Sequence, residues 1–338
     1  MTGIDDVARE AGVSTATVSR ALRGLPSVTD ETRRRVMAAA ARMEYVASPA
    51  AASLAGGQTR AVGVVVPNVT RWFFGSVVHG AEELLRQHGY DLLLYNITGD
   101  PTARKRLFSA HLLSKRVDAV MVLAVRPTAA EVAALDRTGS PVVVVGGTVP
   151  GWSHVAIDDL EAARTAVQHL LDLGHTEIAH LGGVPDPEHE GLQFSTPGAR
   201  LLGYRRTMAA AGLPVHPDWE VTSDFTARGG LAACRLLLQS PRRPTAIFAA
   251  SDEMAIGAAH AVREAGLRVP EDVSLIGIDD HELAEFFELS TVAQPAHELG
   301  RLGARRLLDS LAGTAPAGPV ETVVGTRLVV RRTTARRG

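Results

Sequence analysis

A single cysteine, Cys234, stands in the 338 residues. That excludes an intrachain disulfide framework and any cysteine-based zinc cluster. In GGLAACRLLL it reads as a small buried residue of a helix. No stretch reaches the roughly 18 apolar residues of a membrane span, and no basic segment followed by a long apolar run opens the chain, so a cytoplasmic protein is expected. The 12 histidines are scattered, without HExxH or paired-ligand spacing, and no GxGxxG, Walker lysine or nucleophile elbow is present. Neither a metal, nor a cofactor, nor an enzymatic activity is therefore expected. Excess charge of one sign is also missing. The net charge of -2 argues against a uniformly basic nucleic-acid binder, yet a small basic module on a larger acidic body averages to the same value. Residues 1–60 hold eight arginines and no lysine against six acidic residues, so this segment is net positive and the remainder net negative.

What is present changes texture twice along the chain. Residues 1–45 read as helices only: apolar residues recur at helical spacing in IDDVAREAGV, STATVSRAL and DETRRRVMAAAARMEY. VASPAAASLAGGQT is small, Ala-rich and broken by Pro49 and Gly56-Gly57, a linker that is helical only conditionally. From Arg60 onward, aliphatic runs at 62–66, 91–95, 118–125 and 141–145 lack period-two alternation, as suits strands of a parallel sheet buried on both faces. Helical patterns lie between them. The series restarts after Ile157, with strands in EIAHLGG, TAIFAAS and VSLIGIDD and helices near 159–173, 197–211, 226–240 and 252–265. Two successive βαβ series predict two doubly wound α/β subdomains facing across a ligand cleft.

The segment VAREAGVSTATVS has the residue types of a helix-turn-helix. Ala8 lets two helices approach, Gly12 can adopt the left-handed turn, and Val18 plugs the second helix onto the first. Ser14 suits the N-cap of the second helix, whose outward residues are Thr15, Ala16, Ser19, Arg20 and Arg23. Arg20 can reach guanine O6 and N7 with its fork. Spacing alone also admits an ordinary helical hairpin with a solvated polar face.

DVAREAGVSTATVSRALRG followed by VTDETRRRVMAAAARMEY resembles the DNA-binding headpiece of the lactose-repressor (LacI) family of transcription regulators. The similarity continues in family order through RAVGVVVPNVTRWFFGSVVHGAEE, RLLGYRRTMAAAGL, RPTAIFAASDEMAIGAAHAVREAGLRVPEDVSLIGIDD and TVAQPAHELGRLGARRLLDSL. The resemblance implies an N-terminal helix-turn-helix headpiece (1–45), a hinge (46–60) and a periplasmic-binding-protein-like core of two subdomains. The expected division is 61–158 with 291–318 and 159–290 with 319–332. Thr15, Ala16 and Arg20 then sit on the recognition helix, with Ser14 and Thr17 near phosphates, and Leu54 matches the leucine that wedges a central base step. Ala16 can offer only apolar contact, so direct readout is expected to be lean. The chain departs from the family at Ala47, Ser48 and Ala52, where proline, asparagine and arginine are common, and two glycines follow Leu54, which weakens hinge-helix formation and removes a minor-groove cation. It also departs at Gly3, where a capping threonine is usual; Thr2 is expected to cap instead, with Asp5 near the third helical position.

Effector contacts carry over onto Phe73, Phe74, Arg200, Phe225, Ser251 or Asp252, and Asp279. An arginine and carboxylates bind hydroxyls or ring nitrogens, while an aromatic stacks on a flat face. Gly146 and Gly147 stand where many sugar-responsive members carry an aspartate. The implied partners are palindromic double-stranded operator DNA, a small-molecule effector (a sugar first, a nucleobase or nucleoside second) and a second copy of the chain. The C-terminal RRTTARRG has no heptad repeat, which favours a dimer over a tail-assembled tetramer. A pure solute-binding protein shares the two-lobed core, but the helix-turn-helix and the missing signal peptide argue against it.

Overall fold

A computed structural model describes residues 3–22, 25–45, 58–97, 101–108, 116–183 and 196–338. The N-terminal unit is three helices, α1 (Ile4–Ala11), α2 (Thr15–Leu22) and α3 (Asp30–Arg42). Val7, Val18 and Val36 are fully buried where the three meet, with Ala8, Ala11, Ala21 and Ala39 keeping the helices close. Gly12, at φ 64°, ends α1 in the left-handed region and donates its N–H back to Ala8 and Arg9. That turn aims α2 across α1. The start of α1 differs from expectation. Its N-cap is Gly3, whose N–H donates to Asp6 Oδ2 at 2.9 Å, so Asp6 rather than Asp5 takes the third helical position.

The core holds two six-stranded sheets. The N-terminal lobe is built from β1 (Ala61–Val66), α4 (Trp72–Gln87), β2 (Asp91–Asn96), α5 (Pro101–Leu107), β3 (Ala119–Leu123), α6 (Ala129–Asp136), β4 (Val142–Val145) and β5 (Ser153–Ile157). The C-terminal lobe follows with α7 (Asp159–Asp172), β6 (Ile178–Gly183), α8 (Thr196–Ala210), β7 (Glu220–Ser223), α9 (Ala227–Leu238), β8 (Ala246–Ala249), α10 (Asp252–Glu264), β9 (Ser274–Asp279) and β10 (Ser290–Ala293). The chain then returns for α11 (Ala296–Leu311) and β11 (Glu321–Val324) and crosses once more for β12 (Arg327–Val329). Strand order is β11-β5-β4-β3-β1-β2 in one sheet and β12-β10-β9-β8-β6-β7 in the other. All pairings are parallel except that of β10 with β12.

These pairings correct the expected division at both late crossings. Residues 291–293, expected with the N-terminal subdomain, pair in β10 with β9 of the C-terminal sheet. Residues 321–324, expected with the C-terminal one, pair in β11 with β5 of the N-terminal sheet. The short strands carry too few consecutive apolar residues to declare their side. In the N-terminal lobe α11 lies against α4 at closest approach: a Cβ on Gly80 would overlap the His297 carbonyl, and one on Gly300 the Val77 carbonyl. Glycine is required there by contact between backbones. Among the described residues no helix is long and apolar enough to cross a membrane.

Candidate functional site

Strands β1, β3, β4, β8 and β9 end toward a cavity of about 550 Å³ between the lobes, within the size range of small-molecule sites. The N-terminal lobe gives it an apolar wall of Pro67, Phe73, Phe74, Ala124 and Ile157. The rings of Phe73 and Phe74 meet edge to face at 5.5 Å. Gly146 lies on this wall at φ 75°, and a Cβ there would come 3.8 Å from the Phe73 ring. The wall thus lacks a carboxylate at that point.

The C-terminal lobe supplies most of the polar face. Arg200 is only 3% exposed. Its Nε donates to Asp159 Oδ1 at 2.8 Å, and its Nη1 donates to the Ala250 carbonyl. Asp159 is itself held by Thr196 Oγ1 at 3.1 Å. A guanidinium fixed at two nitrogens has lost its rotational freedom before any ligand arrives. Asp279 accepts from Gln294 Nε2 at 2.5 Å. Burial pushes its carboxyl above the ordinary range, against the opposing pull of Arg200 and Gln294. Phe225, at φ 60°, lies on the same surface, as does Ser251. The Ser251 hydroxyl also caps α10 by accepting from Met254 N.

Phe73, Phe74, Arg200, Phe225, Ser251 and Asp279 are therefore brought together. Asp252 is the exception and a correction. It has no exposed surface, and its carboxylate accepts from His281 N at 2.9 Å and Thr291 Oγ1 at 2.7 Å. It ties the ends of β9 and β10 to α10 behind the cavity wall. Burial and the neighbouring Asp279 push its carboxyl up as well. Sequence reasoning missed Arg71, Arg126, Asp159, Glu253 and Gln294, which also line the cavity. Asp159 and Glu253 stand in the first turns of α7 and α10, where a carboxylate needs no further reason than the helix dipole.

At the other end of the chain, α2 presents Ala16 and Arg20 exposed, with Thr15 and Thr17 half-exposed beside them. Ser14 Oγ accepts from Thr17 N at 3.2 Å and shares a hydrogen bond with Thr17 Oγ1 at 2.9 Å, the geometry of an N-cap. Leu54 lies outside the described residues, as do Ala47, Ser48 and Ala52. No group of three or more metal-ligating side chains is found among the described residues.

Residues 3–48 match the family described as bacterial regulatory proteins, lacI family, and residues 167–334 match the periplasmic binding protein-like domain. The chain is 34% identical over 308 residues to catabolite control protein A of Priestia megaterium, covering 90% of this chain and 91% of that one. It is 35% identical over 334 residues to the HTH-type transcriptional repressor CytR of Escherichia coli K12, covering 97% and 95%. Among solved structures, the lac repressor dimer bound to operator and the anti-inducer ONPF superposes with a TM-score of 0.85 at 28% identity, covering 99% of both chains. The transcriptional regulator CelR–cellobiose complex gives 0.73 at 31% identity, covering 98% of this chain and all of that one. A ribose-bound regulator from Enterococcus faecium gives 0.71 at 28% identity, covering 82% and 100%.

A helix-turn-helix joined to a two-lobed ligand-binding core defines a DNA-binding regulator of transcription. The chain belongs to the LacI family.

Proposed function

We propose that the protein is a repressor that binds a palindromic operator as a homodimer and is released from it, or fixed on it, by a sugar or glycoside held between the lobes. The observation that carries this reading is Arg200, buried and doubly anchored on the wall of a cavity that also presents three phenylalanines. Its planar fork fixes two acceptors at once, as vicinal hydroxyls require, while a ring face stacks on an aromatic. The cellobiose and ribose complexes of its structural relatives support the sugar class, and the operator-bound dimer supports the partner. On α2, Arg20 reads a G·C pair, and the short residues Thr15 and Ala16 let the helix sit deep in the major groove.

The mechanism follows from two lobes joined by three strand crossings. Closing the cleft on an effector changes the angle between the N-terminal lobes of a dimer, and the two headpieces lose or gain half-site spacing.

The test is a gel shift on the protein's own upstream DNA, with a thermal-shift screen of sugars and nucleobases to supply the effector. Arg200→Ala is expected to bind operator as the parent does and to ignore the effector. Arg20→Ala should lose about 1–3 kcal/mol per half-site and relax one base-pair preference in each. A response of Arg200→Ala at the parent's effector concentration would remove Arg200 from the pocket. A screen answered only by nucleobases or nucleosides would replace the sugar.

A further inference from the structure

On the cavity wall the lobes touch through charge. Glu253, in the first turn of α10, extends from the C-terminal lobe to the start of α4 in the N-terminal lobe. Its Oε2 accepts from Arg71 Nη1 at 3.0 Å, and its Oε1 accepts from Trp72 N at 3.3 Å. The side chains of Arg71 and Glu253 are only 25% and 21% exposed, so water screens the pair weakly. The carboxylate lies between the N-termini of two helices, each with its positive dipole end toward it. It therefore serves as cap to a helix of the opposite lobe.

A second contact runs beside it. The Trp72 ring faces His281 at 5.0 Å with the planes 34° apart. The His281 backbone N–H is held by Asp252, the residue before Glu253. The start of α10 is rigid for the same reason: Ser251 caps it and Asp252 is tied to Thr291. One buried anchor thus presents both cross-cleft partners. The receiving residues, Arg71 and Trp72, directly precede Phe73 and Phe74 on the cavity wall.

We propose that Glu253 is a positioning residue that makes lobe closure and the seating of the Phe73–Phe74 pair a single event. When the cleft is closed, Glu253 pins the first turn of α4 and so fixes the rings that follow it. When the cleft opens, that turn loses its cap, and the aromatic wall loses its fixed geometry with it. The proposal goes beyond the nature of the effector, and its test uses neither effector nor operator.

The experiment measures the distance between the lobes. Spin labels on Leu236→Cys in α9 and Val323→Cys in β11, positions 60% and 59% exposed, report on the two lobes, while the native Cys234 is buried. Labelled protein is diluted with unlabelled chain so that only distances within one chain are read. Glu253→Ala and Arg71→Ala should each move the distribution toward longer separations, a roughly tenfold fall in the closed-to-open ratio, as suits loss of one charge-assisted contact. The double variant should move it no further than Glu253→Ala alone, because Arg71→Ala leaves the Trp72 N–H contact in place. Amide exchange in the Glu253→Ala protein should rise at residues 72–74 of α4 and stay unchanged along α10. Unchanged distances in both single variants, or a double variant that shifts by the product of the two, overturns the proposal. So does lost protection throughout α10, which would make Glu253 a residue of its own helix only.

Discussion

The two lobes share a topology and differ in what they bury. Among the described residues, every buried polar or charged side chain lies at position 175 or later, in the C-terminal lobe or on the crossing that leaves it. His180, Arg200, Asp252, Asp279 and Thr291 belong to that set. The N-terminal sheet is filled instead by valine, alanine, leucine and methionine: β1, β3 and β4 read AVGVVV, AVMVL and VVVV. One topology thus supports an apolar scaffold and a polar one. The polar one fixes its geometry through directional bonds that tolerate little change, while the interior of the apolar one is held mainly by close packing. Most of the cavity's polar groups collect on the first, and the second supplies its apolar wall.

This contrast can be broken by substitution, and the largest effect is expected at Asp252. Asp252→Ala leaves two buried donors, His281 N and Thr291 Oγ1, without an acceptor. It should lower the stability of the C-terminal lobe by about 4 kcal/mol, read as faster amide exchange in β9 and β10 with β1 and β3 unchanged. Equal losses in both lobes would mean that the network does not belong to one lobe.

His180 is stacked between Tyr204 and Phe248, and its Nδ1 bonds the Phe248 carbonyl at 3.1 Å. Burial pushes its pKa down from 6.5 to about 4. The unfolded chain takes up this proton first, so the stabilising contribution is complete above about pH 6.5 and is lost as pH falls toward 4. The raised carboxyls of Asp252 and Asp279 act with opposite sign, so the parent must be compared with His180→Gln, which keeps a donor and does not titrate. The difference between the two in urea unfolding should change by about 3 kcal/mol across that window. A difference that stays flat with pH would show that folding leaves the titration of His180 unshifted.

The smallest of the three changes tests the apolar lobe. Val65→Thr preserves shape but puts a hydroxyl among Val120, Val122, Phe108 and Val117. It should cost about 2 kcal/mol. A neutral result would mean that the N-terminal core accepts polar groups as readily as its counterpart does.

Much of the architecture was legible because each signal was local. Gly12, Val18 and Ala8 announce the turn between α1 and α2, and β1, β3 and β4 are runs of valine, alanine, leucine and methionine broken only by Gly63. The short strands β5, β7, β11 and β12 were not, because SHVAI, EVTS, ETVV and RLV are half-exposed edge segments or follow polar residues. Their membership is decided by which sheet has an open edge, a property of the assembled fold. The cavity shows the same limit. Phe73, Phe74 and Arg200 came from the family resemblance, whereas Asp159 and Glu253 look in sequence like ordinary helix-start carboxylates. Only the facing element reveals what each one holds.

The late return of the chain for α11 and β11 bears on how the protein is made. A ribosome delivers residues 61–157 long before residues 296–324. Through that interval the N-terminal sheet lacks its β11 edge, and the α4 face that α11 will cover stays open to water. The C-terminal lobe receives β6 to β10 in one continuous stretch and then lacks only its β12 edge and the buried Thr333 and Thr334. Neither lobe is complete until the last residues emerge, and the lobe translated first waits the longer of the two, with an aliphatic surface for chaperones to shield.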